Sequence, residues 1–190
     1  MKSKPLKIIL IIGITLLILV GIYFLRDRII IGKKVDSYKN VEVYYNGLIY
    51  TKAYGKNYSD DGYYYGQKWQ CVEYIKRFYF VAKGHKMPDV YGNAKDFFDP
   101  KVSQGQLNSR RGLIQFRNGD TVKPEPDDLV VFTDTKYGHV AIVTEVSENY
   151  VEVIQQNIYG KSRDRYELTI KDNKYFVGTK RMAAGWLRKK

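Results

Sequence analysis

The chain has 190 residues, a formal charge of +12 and a single cysteine. One cysteine excludes an intramolecular disulfide framework, and the two histidines fall in no His/Cys/carboxylate cluster with metal-ligand spacing, so no metal and no cofactor is expected. The charge is uneven: residues 1–34 hold seven Lys/Arg against one Asp, half of the net excess.

Residues 8–25 read IILIIGITLLILVGIYFL, without a charge. As a helix this run is about 27 Å long at 1.5 Å per residue, close to the roughly 30 Å of a bilayer's hydrocarbon core. Lys2, Lys4 and Lys7 precede it; Arg26 and Arg28 follow. A cleaved signal peptide is the competing reading. It is disfavoured because the run exceeds the usual apolar region of about 7–15 residues, with no small-x-small site after it. The expectation is a single-pass N-terminal anchor over residues 1–34 with its linker, and one domain over residues 35–190. The short N-terminal arm favours a domain outside the cytoplasmic membrane, although basic residues on both flanks leave orientation open. A basic domain so placed suits an anionic partner such as phospholipid or cell-wall polymer. Nucleic acid is disfavoured, because an outward domain would not meet it. A monomer is expected.

Along the domain, VEVYYN and LIYTKAY are β-prone runs flanking Asn46-Gly47, a hairpin-type turn signal. Residues 71–83 predict a helix: Val72, Ile75, Phe78 and Tyr79 recur at helical spacing, and Gly84 ends it. Residues 92–100 predict a short second helix stopped at Pro100. Residues 103–120 are polar and predict mostly loop. Residues 127–132, 139–146 and 150–157 are strands by β-branched content and alternation, and residues 175–187 supply a last strand. Helices followed by antiparallel strands make an α+β pattern.

The strands 139–146 and 150–157 are separated by a three-residue turn. If Val146 faces Tyr150, then Ala141 faces Gln155 and His139 faces Asn157. Period-two alternation puts these four on one face, and Glu152 and Gln156 on the other. A lone cysteine with a distant histidine is a candidate nucleophile–base pair. Cys71 stands where the helix begins, a position that lowers a thiol's pKa, as does a neighbouring histidine. His139 would take the thiol proton, a third group would accept its Nδ1–H, and N–H groups at the helix start would hold the oxyanion. His85, in KGHKMP, reads as an exposed loop residue.

The motif GQKWQCVEYIKRF (Gly66–Phe78) resembles the nucleophile motif of CHAP domains, the cysteine- and histidine-dependent amidohydrolases/peptidases. It is similar above all to the amidase domains of bifunctional glutathionylspermidine and trypanothione enzymes. DDLVVF, GHVAIVTEV (Gly138–Val146), VIQQN (Val153–Asn157) and GWL (Gly185–Leu187) resemble the family's later segments in order and spacing. The resemblance covers about residues 63–187. It implies a papain-like α+β fold, Cys71 as nucleophile, His139 as base, and Trp69 and Gln70 lining the cleft. Tyr65, leading into the motif, is a further candidate for the substrate groove. One position departs: the glutamate of the family's EQN segment is Gln155 here, while Asn157 matches. A glutamine can orient an imidazole without neutralising its cation. Glu152, Asp134 and Glu145 are weaker candidates for a substitute carboxylate.

These features lead to a membrane-anchored cysteine amidohydrolase acting on peptide-type amides, with peptidoglycan as substrate class. A glutathionylspermidine-type amidase and a non-catalytic wall-binding module are the alternatives.

Overall fold

A computed structural model describes residues 4–190, with side chains from residue 7; Lys2 of the N-terminal basic cluster lies outside them. Helix α1, Lys4–Ile30, contains a stretch from Lys7 to Ile30 long and apolar enough to cross a membrane. Its apolar side chains are exposed along the whole run, as expected of a helix with no protein partner around it. The chain turns at Gly32 and enters β1 (Lys34–Tyr38), which pairs antiparallel with β2 (Val41–Tyr44).

The first β-turn falls at Lys39-Asn40, both at positive φ, and not at Asn46-Gly47. The physical reason lies in Asn46. Its side chain is buried and spent on tertiary partners: Nδ2 donates to Asn157 Oδ1 at 2.7 Å, and Oδ1 accepts from the Trp69 N–H at 3.3 Å. Residues 48–54 therefore form a loop where a strand was expected. A second small pair, β3 (Lys56–Tyr58) and β4 (Tyr64–Gln67), leads into helix α2 (Cys71–Lys83).

Helix α2 forms where the periodicity placed it. Ile75, Phe78 and Tyr79 are fully buried. Gly84 closes it in the left-handed region (φ 57°), with its N–H donating back to Phe80 O, a conformation that costs glycine little. Residues 94–97 form one 3-10 turn, Ala94–Phe97, rather than an α-helix.

Eight strands then build one antiparallel sheet, in the order β11-β10-β9-β8-β7-β12-β6-β5. Its members are β5 (Gln106–Asn108), β6 (Leu113–Arg117), β7 (Leu129–Phe132), β8 (His139–Val146), β9 (Tyr150–Ile154), β10 (Arg163–Lys171), β11 (Lys174–Val177) and β12 (Gly185–Arg188). The fold is thus sheet-rich α+β. The single last strand expected over residues 175–187 is two strands, β11 and β12, which are not neighbours in the sheet, and three further strands were not expected. Strands β5 and β6 occupy the stretch expected as loop, and β10 stands where no strand was expected, although Tyr166, Leu168 and Ile170 alternate with polar residues along it. Pairing holds all three: β6 is held by β12, β5 by β6, and β10 by β9 and β11. The sheet is covered on both faces. Val140, Ile142, Ile154, Leu129, Val131 and Leu187 pack with Tyr74, Ile75, Phe78 and Tyr79 of α2. Ala141, Val143, Val151, Val153, Phe132 and Trp186 form a second cluster.

The β8–β9 register arrives at the expected pairing by a different route. Val146 faces Val151, one residue off the expected partner, and a bulge between Val143 and Glu145 absorbs the offset. From there Val143 faces Val153 and Ile142 faces Ile154, in the expected register. The ladder ends at Ile154, so Gln155 and Asn157 leave the strand instead of continuing it.

Candidate active site

Cys71 is the first residue of α2. The preceding residue, Gln70, is extended (φ −78°, ψ 159°) and offers no side-chain cap to the helix. Its amide is committed elsewhere: Nε2 donates to Lys52 O (2.8 Å) and Tyr50 O (3.2 Å), and Oε1 accepts from Asn157 Nδ2 (2.6 Å). The thiol lies against its own N–H and that of Val72, and against the backbone of Val140, the residue after His139. Cys71, His139, Gln155 and Gln70 line one cavity of about 1210 Å³.

His139 opens β8 and is buried, stacking on Phe132. It follows Gly138, at φ 71°, where an added Cβ would sit 2.5 Å from Lys95 N and 2.6 Å from Phe132 O. No other residue fits that tight entry to the strand. His139 Nε2 lies 2.9 Å from Gln155 Oε1. A carbonyl oxygen only accepts, so Nε2 carries the proton and Nδ1 the lone pair. The opposite Gln155 nitrogen reaches Lys161 O at 3.5 Å, consistent with that amide orientation. The orienting bond is therefore made at Nε2, not at Nδ1 as the sequence reading had it, and Nδ1 is the nitrogen left to act as base.

The electrostatics reverse a second expectation. Burial pushes the Cys71 thiol up to about 11, outweighing the favourable N–H groups of Val140, Val72 and Cys71 itself. Burial also pushes His139 down to about 4, reinforced by the Arg181 cation and opposed by the Gln155 hydrogen bond. Desolvation penalises both ions of a thiolate–imidazolium pair, and one helix N-terminus does not offset it. Both shifts favour a neutral thiol and a neutral imidazole, lining the same cavity.

Arg181, absent from the sequence-derived site, stands beside it with Asp134, one of the weaker carboxylate candidates. Arg181 lies over the Phe132 ring at 4.7 Å and is paired by two nitrogens with Asp134, at 3.0 Å for Nε–Oδ2. Arg181 favours the thiolate of Cys71 and disfavours the imidazolium of His139. Asp134 is thereby committed to Arg181. Glu152 is held by Thr144, Arg163 and Arg165, and Glu145 accepts from Tyr150. No hydrogen bond joins any of these carboxylates to His139.

Behind the site lies a fully buried carboxylate, Glu73. It accepts from Arg77 Nε (2.6 Å), Asn57 Nδ2 (2.8 Å) and Gln156 Nε2 (2.7 Å). Gln156 Nε2 also reaches Gln70 O at 3.1 Å, and its Oε1 accepts from the Tyr44 N–H at 2.8 Å. Gln156 thus ties the Gln155 segment to the helix that carries Cys71. The outward alternation of Gln156 relative to Gln155 was readable; that its face meets α2 was not.

The remaining sequence candidates separate. Gln70 and Asn157 line the cavity. Asn157, at φ 66°, bonds Asn46, Gln70 and Tyr50 O rather than His139. Trp69 packs on Tyr44 at 4.3 Å and under Gly32, away from the cavity lining. Tyr65 is buried against Tyr63 and Phe80, and its neighbour Tyr64 lines the cavity instead; on a strand, one residue changes the face. His85 is half-buried and bonds Arg111 O at 2.8 Å, so it is not a free loop residue.

A lone thiol at a helix start, a histidine opening a facing strand and an amide orienting it form the arrangement of a Cys–His hydrolase. Residues 61–157 match the family model described as CHAP domain. The chain belongs to the CHAP domain family. It is 35% identical over 106 residues to the trypanothione synthetase of Crithidia fasciculata, covering 54% of this chain and 16% of that protein. It is 36% identical over 110 residues to the bifunctional glutathionylspermidine synthetase/amidase of Escherichia coli (strain K12), covering 54% and 17%. The glutathionylspermidine synthase of Crithidia fasciculata is 31% identical over 97 residues. The matched stretches span less than a fifth of the length of these relatives.

Proposed function

We propose that this protein is a membrane-anchored cysteine amidohydrolase of papain-like fold, cleaving peptide-type amide bonds in cell-wall peptidoglycan. The observation that carries the catalytic reading is the 2.9 Å His139 Nε2–Gln155 Oε1 bond. It leaves Nδ1 as base in the cavity that Cys71 also lines. In this reading Cys71 Sγ attacks the amide carbonyl as its proton passes to His139 Nδ1. The imidazolium then protonates the leaving amine, and water hydrolyses the thioester with the same base. N–H groups of Cys71 and Val72 at the start of α2 hold the oxyanion. Because thiol and imidazole rest neutral, proton transfer accompanies attack instead of preceding it. Gln155 keeps the ring in place throughout.

Helix α1 and the basic flanks support the anchor, and an outward domain on such an anchor meets stem peptides and cross-bridges. The similarity to a glutathionylspermidine synthetase/amidase supports a second reading, an amidase of glutathione–polyamine conjugates. The net basic charge weighs against a polycationic substrate. The neutral Cys–His pair supports a third, a wall-binding module without turnover. Incubating the full chain with purified peptidoglycan and with glutathionylspermidine, and assaying new amines, separates them. Release from peptidoglycan that disappears in Cys71→Ala is the expected result. Release only from the conjugate selects the second reading. Binding without release, unchanged in Cys71→Ala, selects the third.

A further inference from the structure

The carboxyl end of α1 is braced against the loops that form the mouth of the Cys71 cavity. Asp27 accepts from the Tyr45 hydroxyl at 2.6 Å and from the Leu48 N–H at 3.4 Å. The Tyr23 hydroxyl lies 2.8 Å from that of Tyr159. Phe24, Leu25 and Ile31 of the helix end share a smaller cavity of about 440 Å³ with Leu48, Ile49 and Tyr54. These bonds fix depth. Tyr23 precedes Arg26, the first charge after the apolar run, by three residues, or about 5 Å along a helix. Tyr159 is therefore held level with the last apolar turn.

At that level the loops present apolar and aromatic side chains: Ile49 is 59% exposed, Tyr50 66% and Tyr159 60%. Arg28 and Lys52 line the same small cavity as Ile49. Exposed tyrosines at the edge of a hydrocarbon span, with basic residues beside them, match the chemistry of the headgroup region. The same loop touches the nucleophile's neighbour, since the carbonyls of Tyr50 and Lys52 accept from Gln70 Nε2.

We propose that residues 48–51 and Tyr159 form a lipid-contacting face that enters the headgroup layer and holds the mouth of the Cys71 cleft at the bilayer surface. The proposal rests on the membrane-anchor reading of α1. It confines the enzyme to amides within reach of the membrane surface, and makes the occupant of this patch a phospholipid interface rather than a protein partner.

The chain's single cysteine makes the test direct. In the full chain carrying Cys71→Ala, one new cysteine is introduced at a time: Tyr50→Cys, Tyr159→Cys, Leu16→Cys within α1, or Leu107→Cys on the edge strand β5. Each is labelled with an environment-sensitive fluorophore and reconstituted in phosphatidylcholine/phosphatidylglycerol nanodiscs with nitroxide-bearing lipids. Quenching at positions 50 and 159 at least twofold above that at position 107 is expected. Quenching at position 16 with none above the position 107 level at 50 and 159 overturns the lipid-contacting face and leaves the anchor standing. No quenching at position 16 overturns the anchor, and this proposal with it.

Discussion

Replacing Gln155 by glutamate tests the reasoning about the site most sharply. The new carboxylate would take the place of an Oε1 that lies 2.9 Å from His139 Nε2. A charge-assisted bond is about twice as strong as a neutral one, a gain of about 1–2 kcal/mol. One pKa unit corresponds to about 1.4 kcal/mol, so the gain is about one unit. Two effects oppose it: the buried position penalises a new charge, and the second oxygen would face Lys161 O where Gln155 now places an N–H at 3.5 Å. His139 should therefore titrate above its value of about 4 by up to about one unit. The thiolate–imidazolium form gains with it, and alkylation of Cys71 at pH 6 should accelerate by up to about tenfold. With only two histidines in the chain, carbon-13 labelling of histidine resolves the titration directly. Turnover should rise or stay level. A His139 pKa that stays put or falls, or a tenfold loss of turnover, would refute the orienting role assigned to Gln155.

Alkylation of the unmodified protein at pH 6 is expected to be slower than that of free cysteine, because burial holds the Cys71 thiol near 11; faster labelling would show a preformed ion pair. Arg181→Met removes a cation that lowers both groups, so His139 and Cys71 should each titrate higher, by a few tenths of a unit to about one. Thiolate absorbance and histidine NMR measure the two shifts, and a fall in either contradicts the assigned field. His139 also links stability to pH. Its folded value of about 4 lies below the ordinary 6.5, so the unfolded chain binds the extra proton between these values. Stability is full above 6.5 and declines as pH falls toward 4, by about 3 kcal/mol over that window. Denaturant unfolding in detergent, compared with His139→Gln, should show a stability difference that is constant above pH 7 and shifts against the unmodified protein as pH falls toward 4. Glu73→Ala strands the partly buried Arg77 and unties Gln156 from α2. A loss of about 3–5 kcal/mol is expected in the same unfolding measurement, and a loss below 1 kcal/mol would remove Glu73 as the link between helix and orienting segment.

Local signals were enough for much of this molecule. The uncharged run of residues 8–25 needs no partner to be read as a long apolar helix. The spacing of Ile75, Phe78 and Tyr79 marks α2, and Gly84 its end, because amphipathic periodicity and capping are properties of short stretches. The β-branched runs at β7, β8 and β9 are local in the same sense. The lone cysteine with so few histidines narrowed the chemistry before any fold was known, and the motif around Cys71 resembled the family to which the chain belongs.

What escaped were matters of pairing, burial and depth. Strand β10 alternates Tyr166, Leu168 and Ile170 with polar residues, but its many charges masked that pattern, which pairing with β9 and β11 makes plain. Asn46-Gly47 has the composition of a turn, yet Asn46 is spent on Asn157 and Trp69. The bulge near Thr144 corrected a register that turn length alone had misplaced by one. Tyr65 and Tyr64 exchanged roles for the same reason, since a single residue changes the face of a strand. The direction of the Cys71 shift depended on the desolvation of a thiol packed among its neighbours, which no helix position reveals. Arg181, more than a hundred residues from the cysteine, reaches the site only because the sheet brings its loop back beside β8. Sequence determined which groups could perform the chemistry, since residue identity sets reactivity. Tertiary structure decided their protonation, their orientation and which face of the cleft looks toward helix α1, since each depends on neighbours distant along the chain.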